Sequence, residues 1–297
     1  MREHPSLNLV LLLILSFFWA GTFLLVKVAD ASLPPMTLMA GRAISSSLLL
    51  CILVPLLKKP LHKHAFIFKT QLSCFISGVL IAYMWFTIAV SETVLSASMT
   101  SLLLTSLAVF AWLIVTFITR EKSFYSINLL GIIIAIFGVI TILGYNNILH
   151  TNHQFDYALL YISGIGAFAI AAAVNRHLCK GIDPFITTTY SLVYVAIIMT
   201  IAVFIFETPL QQTYTLSASL SVLSVGFIST AIGYLIFFWL VMHAGQIFAS
   251  LNGYLVPVFG FAMGVLILNE NATWHQIIGL LIVFVGTYLT QKGPTSN

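Results

Sequence analysis

Charge is what this chain has least of. Only 7% of its 297 residues are Asp, Glu, Lys or Arg, against roughly 25% in a soluble domain. That scarcity excludes a water-facing globule. Acidic residues are rarest: Glu3, Asp30, Glu92, Glu121, Asp156, Asp183, Glu207 and Glu270 are all there are. By pattern each falls at a helix end or in a loop, so no carboxylate stands clearly at mid-membrane, where a proton-coupled carrier commonly places one. Cysteine is sparse as well. Cys51, Cys74 and Cys179 form no C-x-x-C pair and read as packing residues.

Catalytic signatures are missing too. There is no H-E-x-x-H, no G-x-S-x-G and no phosphate-binding glycine loop. The charges are peripheral, so an intramembrane enzyme would lack an acid, base, nucleophile or metal cluster at a shared depth. No catalytic residue, cofactor or metal is expected. His62-x-His64 and His150-x-x-His153 sit in loops without cysteine or paired carboxylates, and read as solvated.

What the chain does have is long apolar runs. Apolar residues make up 60% of it, and the mean hydropathy is +1.06. The runs lack the period-2 alternation of a membrane barrel, so the fold class is an all-α polytopic membrane protein. Ten transmembrane helices fit, at roughly 7–28, 34–57, 71–91, 94–118, 125–145, 157–176, 184–206, 216–242, 246–268 and 274–290. About 20 residues at roughly 1.5 Å each cover the bilayer core. The first run is longer than a signal-peptide core and no clear cleavage site follows it, so it reads as an uncleaved span.

Basic residues set the expected orientation. With the N-terminus cytoplasmic, Arg2, Lys58, Lys59, Lys63, Lys69, Arg120, Lys122, Arg176, Lys180 and Lys292 all face inward, and the outer loops hold none. Both termini are then cytoplasmic. The net charge of +4 has the same cause: it reflects loops facing anionic lipid, and no nucleic-acid partner is implied.

Five spans precede the polar segment 146–156 and five follow it. An odd number per half gives a 5+5 inverted repeat, with a first unit at 7–145, an outer linker at 146–156 and a second unit at 157–290. Local echoes support the division. Glu121 and Glu270 each join two apolar helices, and Ser101 and Ser250 each lie 20 residues before them. Gly131-x6-Gly138 answers Gly279-x6-Gly286, and Tyr83 answers Tyr234. Two related halves can exchange conformations about a site near the midplane, which is a transporter's logic.

Several stretches resemble a known family. They are Phe18-Trp19-Ala20-Gly21-Thr22-Phe23 continuing to Val26-Lys27, Pro34-Pro35 with Arg42, and the Glu121 link. In the second half they are Ser229 to Tyr234, Trp239, Ala249-Ser-Leu, Tyr254-Leu-Val-Pro257-Val-Phe and Glu270. In order and spacing they are similar to the drug/metabolite transporter superfamily, in its ten-helix group with two EamA domains. The resemblance implies a multi-pass carrier of the bacterial inner (plasma) membrane. It implies export of an amino acid or related metabolite, with uptake of a cofactor-like or nucleotide-like metabolite as the alternative. One departure is span 6, which reads Gly164-Ile-Gly166-Ala-Phe-Ala where the second copy often has a tryptophan.

The candidate substrate-binding residues are Trp19, Arg42, Tyr83, Ser101, Thr105, Trp112, Asn252 and Tyr254. Trp19 and Lys27 share a face of span 1. Lys27 and Arg42 either form an outer vestibule that attracts carboxylate or phosphate, or snorkel to the interface beside Asp30 or Glu92. Ser98, Ser101, Thr105 and Trp112 form a stripe on span 4 that either packs helices closely or faces a cavity. Of Tyr83 and Trp85, which point different ways, Tyr83 is preferred for its partner Tyr234. Pro257 in span 9 frees the Gly253 carbonyl and supplies a bend absent from span 4. Lys27, Glu121, Pro257 and Glu270 are expected in gating or structural roles, and Thr273 with Gln276 forms a capping box. The expected partners are a small-molecule solute and the bilayer, with the chain a monomer or homodimer. A lipid-flipping subunit is the remaining rival.

Overall fold

The structure is a computed structural model that describes residues 5–30, 33–59, 67–118, 126–143, 154–207, 215–267, 269, 271 and 273–291. Glu121, Glu270 and residues 146–153 of the expected linker lie outside the described residues, as does the side chain of Lys27. Everything regular among the described residues is helical.

The first half runs α1 (Pro5–Asp30), α2 (Pro35–Leu56), α3 (Phe68–Glu92), α4 (Ala97–Leu103), α5 (Ser106–Leu113), a π-helical turn (Ile114–Ile118) and α6 (Ser126–Leu143). The second half runs α7 (Gln154–Leu178), α8 (Pro184–Phe206), α9 (Leu216–Ser224), a π-helix (Val225–Ile232) and α10 (Gly233–His243). It ends with α11 (Gln246–Ala249), α12 (Asn252–Ile267) and α13 (Trp274–Gln291). Eight of the resulting stretches are long and apolar enough to cross a membrane; Ile127–Ile142 and Trp274–Gly286 are shorter apolar helices. Large apolar side chains also cover the outside, Leu216 being 75%, Leu266 78% and Trp274 72% exposed. A soluble monomer rarely exposes such a surface, and a bilayer solvates it.

Local chemistry starts these helices where they start. Ser96 accepts from the Met99 amide at 3.2 Å and caps α4, while Asp183 accepts from the Phe185 amide at 2.9 Å ahead of Pro184. The expected capping box at α13 forms by half. Gln276 Oε1 accepts from the Thr273 amide at 3.1 Å, whereas Thr273 Oγ1 turns to His275 Nε2 at 3.1 Å.

The helix pair α2 and α8 is pinned at both ends. At one end Glu207 accepts from the Met36 amide at 2.8 Å, and from the Thr37 amide and hydroxyl at 2.7 Å each, filling the bare N-terminus of α2. At the other, Lys59 Nζ lies 2.5 Å from Asp183 Oδ2.

The two glycine pairs meet. A Cβ on Gly279 would fall 2.7 Å from Ile142 N and 2.9 Å from Gly138 O; on Gly286 it would fall 2.3 Å from Ala135 N. Glycine removes the side chains that would hold α6 and α13 apart, so their backbones touch. These helices form the most extensively packed pair in the bundle.

Span 4 is broken as well as span 9, which corrects the expectation of a bend at Pro257 alone. α4 gives way to α5 at Leu104-Thr105, and α11 to α12 at Ser250-Leu251. Helix α12 itself continues through Pro257. The two interruptions meet: a Cβ on Gly253 would lie 3.2 Å from the Leu104 carbonyl oxygen. The helical path of span 9 gives way seven residues before the proline, at the polar Ser250.

Candidate functional site

The site forms around Arg42. This residue sits seven positions into α2, roughly 10 Å from the helix start, and is 5% exposed. A guanidinium this deep needs partners. Its Nε donates to Thr230 Oγ1 at 2.6 Å, and its central carbon lies 4.2 Å from the centre of the Trp85 ring. A cation over an indole contributes about 0.5–2 kcal/mol when desolvated. The buried carboxylate of Glu92, at the end of α3, and the hydroxyls of Tyr161 and Tyr234 lie within electrostatic reach. Among the described residues no acceptor takes the two terminal guanidinium nitrogens.

Arg42 lines a cavity of about 40 Å³, walled by Trp85 and Tyr161, with Thr22, Leu104 and Tyr234 contributing. Such a space holds a water or two. An organic solute would need the helices to part.

The floor is aromatic. Trp19 packs 5.3 Å from Phe237, 5.7 Å from Phe168 and 5.5 Å from Tyr234, centre to centre, and Phe168 lies 5.0 Å from Phe237. Tyr161 and Phe168 both come from α7, and Phe168 lies two turns deeper than Tyr161. The cluster therefore closes the cavity on the side away from Glu92. Phe168 occupies the span lacking the tryptophan of the resemblance, and an aromatic ring is supplied there all the same.

The π-helix Val225–Ile232 holds this arrangement. Ser229 exchanges bonds with α1: its carbonyl accepts from Trp19 Nε1 at 3.1 Å, and its hydroxyl donates to the Phe18 carbonyl at 2.8 Å. The next residue, Thr230, takes Arg42. A π-turn is costlier than an α-turn and recurs at functional sites. Here it faces Ser229 towards α1 while Thr230 meets α2. Trp85 in turn donates to Tyr234 Oη at 2.8 Å, so the cation, indole and phenol form one connected group.

Of the residues expected to bind solute, Trp19 and Arg42 line this cavity and six do not. Tyr83 is 41% exposed, and its hydroxyl pairs with Ser163 Oγ at 2.9 Å. Its neighbour Trp85 takes the inward place, because the two lie on opposite sides of α3. The stripe on span 4 packs helices: Thr105 Oγ1 donates to the Leu102 carbonyl at 2.7 Å, and Ser101 lies against Gly260, where a Cβ would come within 2.8 Å. The break at Leu104-Thr105 carries Leu104 into the cavity instead. Trp112 is buried edge-on to Phe117 at 6.2 Å, and Tyr254 edge-on to Phe284 at 5.4 Å.

Asn252 is buried beside the second break, and neither of its amide atoms has a hydrogen-bond partner among the described residues. Lys27 lies on α1 near its end.

Sequence reasoning missed Tyr161, Thr22, Thr230 and the burial of Glu92. Thr22 was findable, one turn beyond Trp19 on the same face. Tyr161 carried only the weak signal of a hydroxyl within an apolar run. Among the described residues no group of three or more His, Cys, Asp or Glu could hold a metal.

Comparison with known proteins adds identity to this geometry. Residues 6–144 and 157–291 match the EamA-like transporter family. An uncharacterized transporter of Bacillus subtilis (strain 168), YoaV, is 24% identical over 281 residues, covering 92% of this chain and 93% of that protein. An uncharacterized transporter of Archaeoglobus fulgidus is 24% identical over 277 residues, covering 93% and 95%. A solved crystal structure superposes with a TM-score of 0.72 at 12% identity, over 97% of each chain, which shows a common fold.

Proposed function

The chain belongs to the EamA-like transporter family and is a multi-pass membrane transporter of small solutes, and from that premise we propose that it carries a carboxylate-bearing solute past Arg42 by alternating access. In this reading the ten helices form a 5+5 inverted repeat, divided at 146–156, with both termini in the cytoplasm of the plasma membrane. The solute is an amino acid or related metabolite, and the direction is export.

One observation carries the proposal: a buried guanidinium lining an aromatic cavity, its Nε edge fixed by Thr230 and its face by Trp85, with no further hydrogen bond among the described residues. Two parallel donors match the two oxygens of a carboxylate. Trp85 and Tyr161 then supply apolar wall, as in most small-molecule sites. The aromatic floor is the closed gate of this conformation. Passage requires Trp19 and Phe237 to separate, and rocking of one half against the other would separate them, since Trp19 belongs to the first half and Phe237 to the second.

Purified protein in proteoliposomes tests this. Saturable flux is expected for amino acids and for little of the corresponding amides. Arg42→Gln should lower that flux at least ten-fold, since a bond to a charged group contributes about 1.5–3 kcal/mol. Equal flux of acid and amide, or transport that requires a second protein subunit, would rule the proposal out.

A further inference from the structure

A second cavity, of about 600 Å³, opens at the far end of α2. It lies 17 positions from Arg42 along the helix and its extension, roughly 25 Å away, so it is separate from the solute site. Three segments build it. Lys59 comes from the end of α2, Lys180 to Phe185 from the turn into α8, and Trp239 to His243 from the end of α10.

Its chemistry is divided. Both oxygens of Asp183 are already engaged, Oδ1 by the Phe185 amide at 2.9 Å and Oδ2 by Lys59. The carboxylate therefore fixes Lys59 without closing the pocket to anions. Lys59 also sits 5.4 Å from the Phe185 ring centre, and its side chain is 37% exposed. Lys180 is exposed. His243 stacks on Trp239 at 4.3 Å and 18°, with Nδ1 2.9 Å from the Trp239 carbonyl. A carbonyl only accepts, so Nδ1 carries the proton there and Nε2 is left as an acceptor, suited to a headgroup hydroxyl. Phe185 and Trp239 supply apolar wall beneath the cations. Two residues before Lys59 and Lys180 in the chain, Leu57 is 52% and Leu178 42% exposed, apolar surface for acyl chains at this end of the bundle.

We infer that this pocket seats the phosphate of an anionic phospholipid. Lys59 and Lys180 meet the phosphate, Trp239 lies at the headgroup level where indole rings collect, and the acyl chains follow the exposed leucines. A soluble phosphate would use the cations and leave the apolar wall bare; a lipid uses both. The bound lipid would bridge the two halves of the chain, since Lys59 belongs to one and the remaining walls to the other.

The test uses the full chain, purified in a neutral detergent. Its thermal unfolding is followed while phosphatidylglycerol, phosphatidylcholine of the same acyl chains, or inorganic phosphate is added. Phosphatidylglycerol should raise the unfolding temperature and phosphatidylcholine should not. Lys180→Gln should weaken the phosphatidylglycerol affinity about five-fold, from the usual contribution of one lysine near a lipid surface. Lys58→Gln, at the same end but outside the pocket, should leave it unchanged. Equal shifts from the two lipids, or equal loss in Lys58→Gln and Lys180→Gln, would overturn the site. A full shift from millimolar inorganic phosphate alone would overturn the lipid as its source. None of these readings depends on which solute the protein carries.

Discussion

Two substitutions of the same kind should have opposite effects. In Gly286→Ala the new methyl would stand 2.3 Å from Ala135 N, 2.7 Å from Gly131 O and 2.8 Å from Ala135 Cα. All three are backbone atoms, which cannot rotate aside, so α13 must retreat from α6 by about an ångström to restore ordinary contact. Overpacking costs about 1–3 kcal/mol where side chains can adjust, and this site belongs at the upper end. The retreat also loosens Gly279 against Ile142 and Gly138 against Val283, because all three contacts lie along one helix pair. In Gly21→Ala the methyl meets nothing within 4 Å. The gain is then the helix preference of alanine over glycine, about 0.5–1 kcal/mol. Thermal unfolding of the two purified variants in one detergent should place Gly286→Ala below the parent by several degrees and Gly21→Ala at or above it. If both variants unfold together, the α6–α13 backbones are not in contact and the packing described here is wrong.

Other perturbations separate stability from function. Asn252→Leu removes two buried polar atoms that have no partner among the described residues, and an unsatisfied group of this kind costs about 1–3 kcal/mol. The variant should be as stable as the parent or more so, yet lose transport if the broken helices around it handle solute; intact flux would make Asn252 irrelevant to transport. Glu207→Ala strips the start of α2 of its acceptor for two amides and a hydroxyl, so it should cost about 1–2 kcal/mol, the upper range for a lost cap. An unfolding midpoint equal to the parent's would show that water replaces the carboxylate fully. Tyr83→Phe, outside the cavity, should leave solute flux within two-fold of the parent, whereas Trp85→Leu should lower it; the reverse order would return Tyr83 to the site.

Much of the architecture is legible in the sequence because lipid demands long apolar helices, and Glu, Lys and Arg cannot sit in the bilayer cheaply. Which face of each helix turns inward is far less legible. In water a buried face announces itself by apolar periodicity, but in a membrane the outer face is apolar as well. Tyr83 and Trp85 show the consequence, since nothing in the pattern of α3 distinguishes them; the repeat echo favours Tyr83, whereas Trp85 lines the cavity. The glycine pairs show the converse. Gly131-x6-Gly138 and Gly279-x6-Gly286 read as matching pairs in two repeats, and the second glycine of one pair, Gly138, proves to touch the first of the other, Gly279. Glu92 reads as a residue at a helix end or in a loop, and it does end α3, but it is buried there. Arg42 was identifiable for a simple reason: a cation one to two turns inside an apolar helix has few other uses.

The central claim is that the cavity at Arg42 opens in turn to each side of the membrane. Thr22 lines that cavity and is 5% exposed, so a cysteine there reports access directly once Cys51, Cys74 and Cys179 are replaced. In oriented vesicles, Thr22→Cys should react with a membrane-impermeant thiol reagent applied from either side, and a transported amino acid should slow the reaction from both. Labelling from one side only under every condition, or labelling that the solute leaves untouched, would contradict the account.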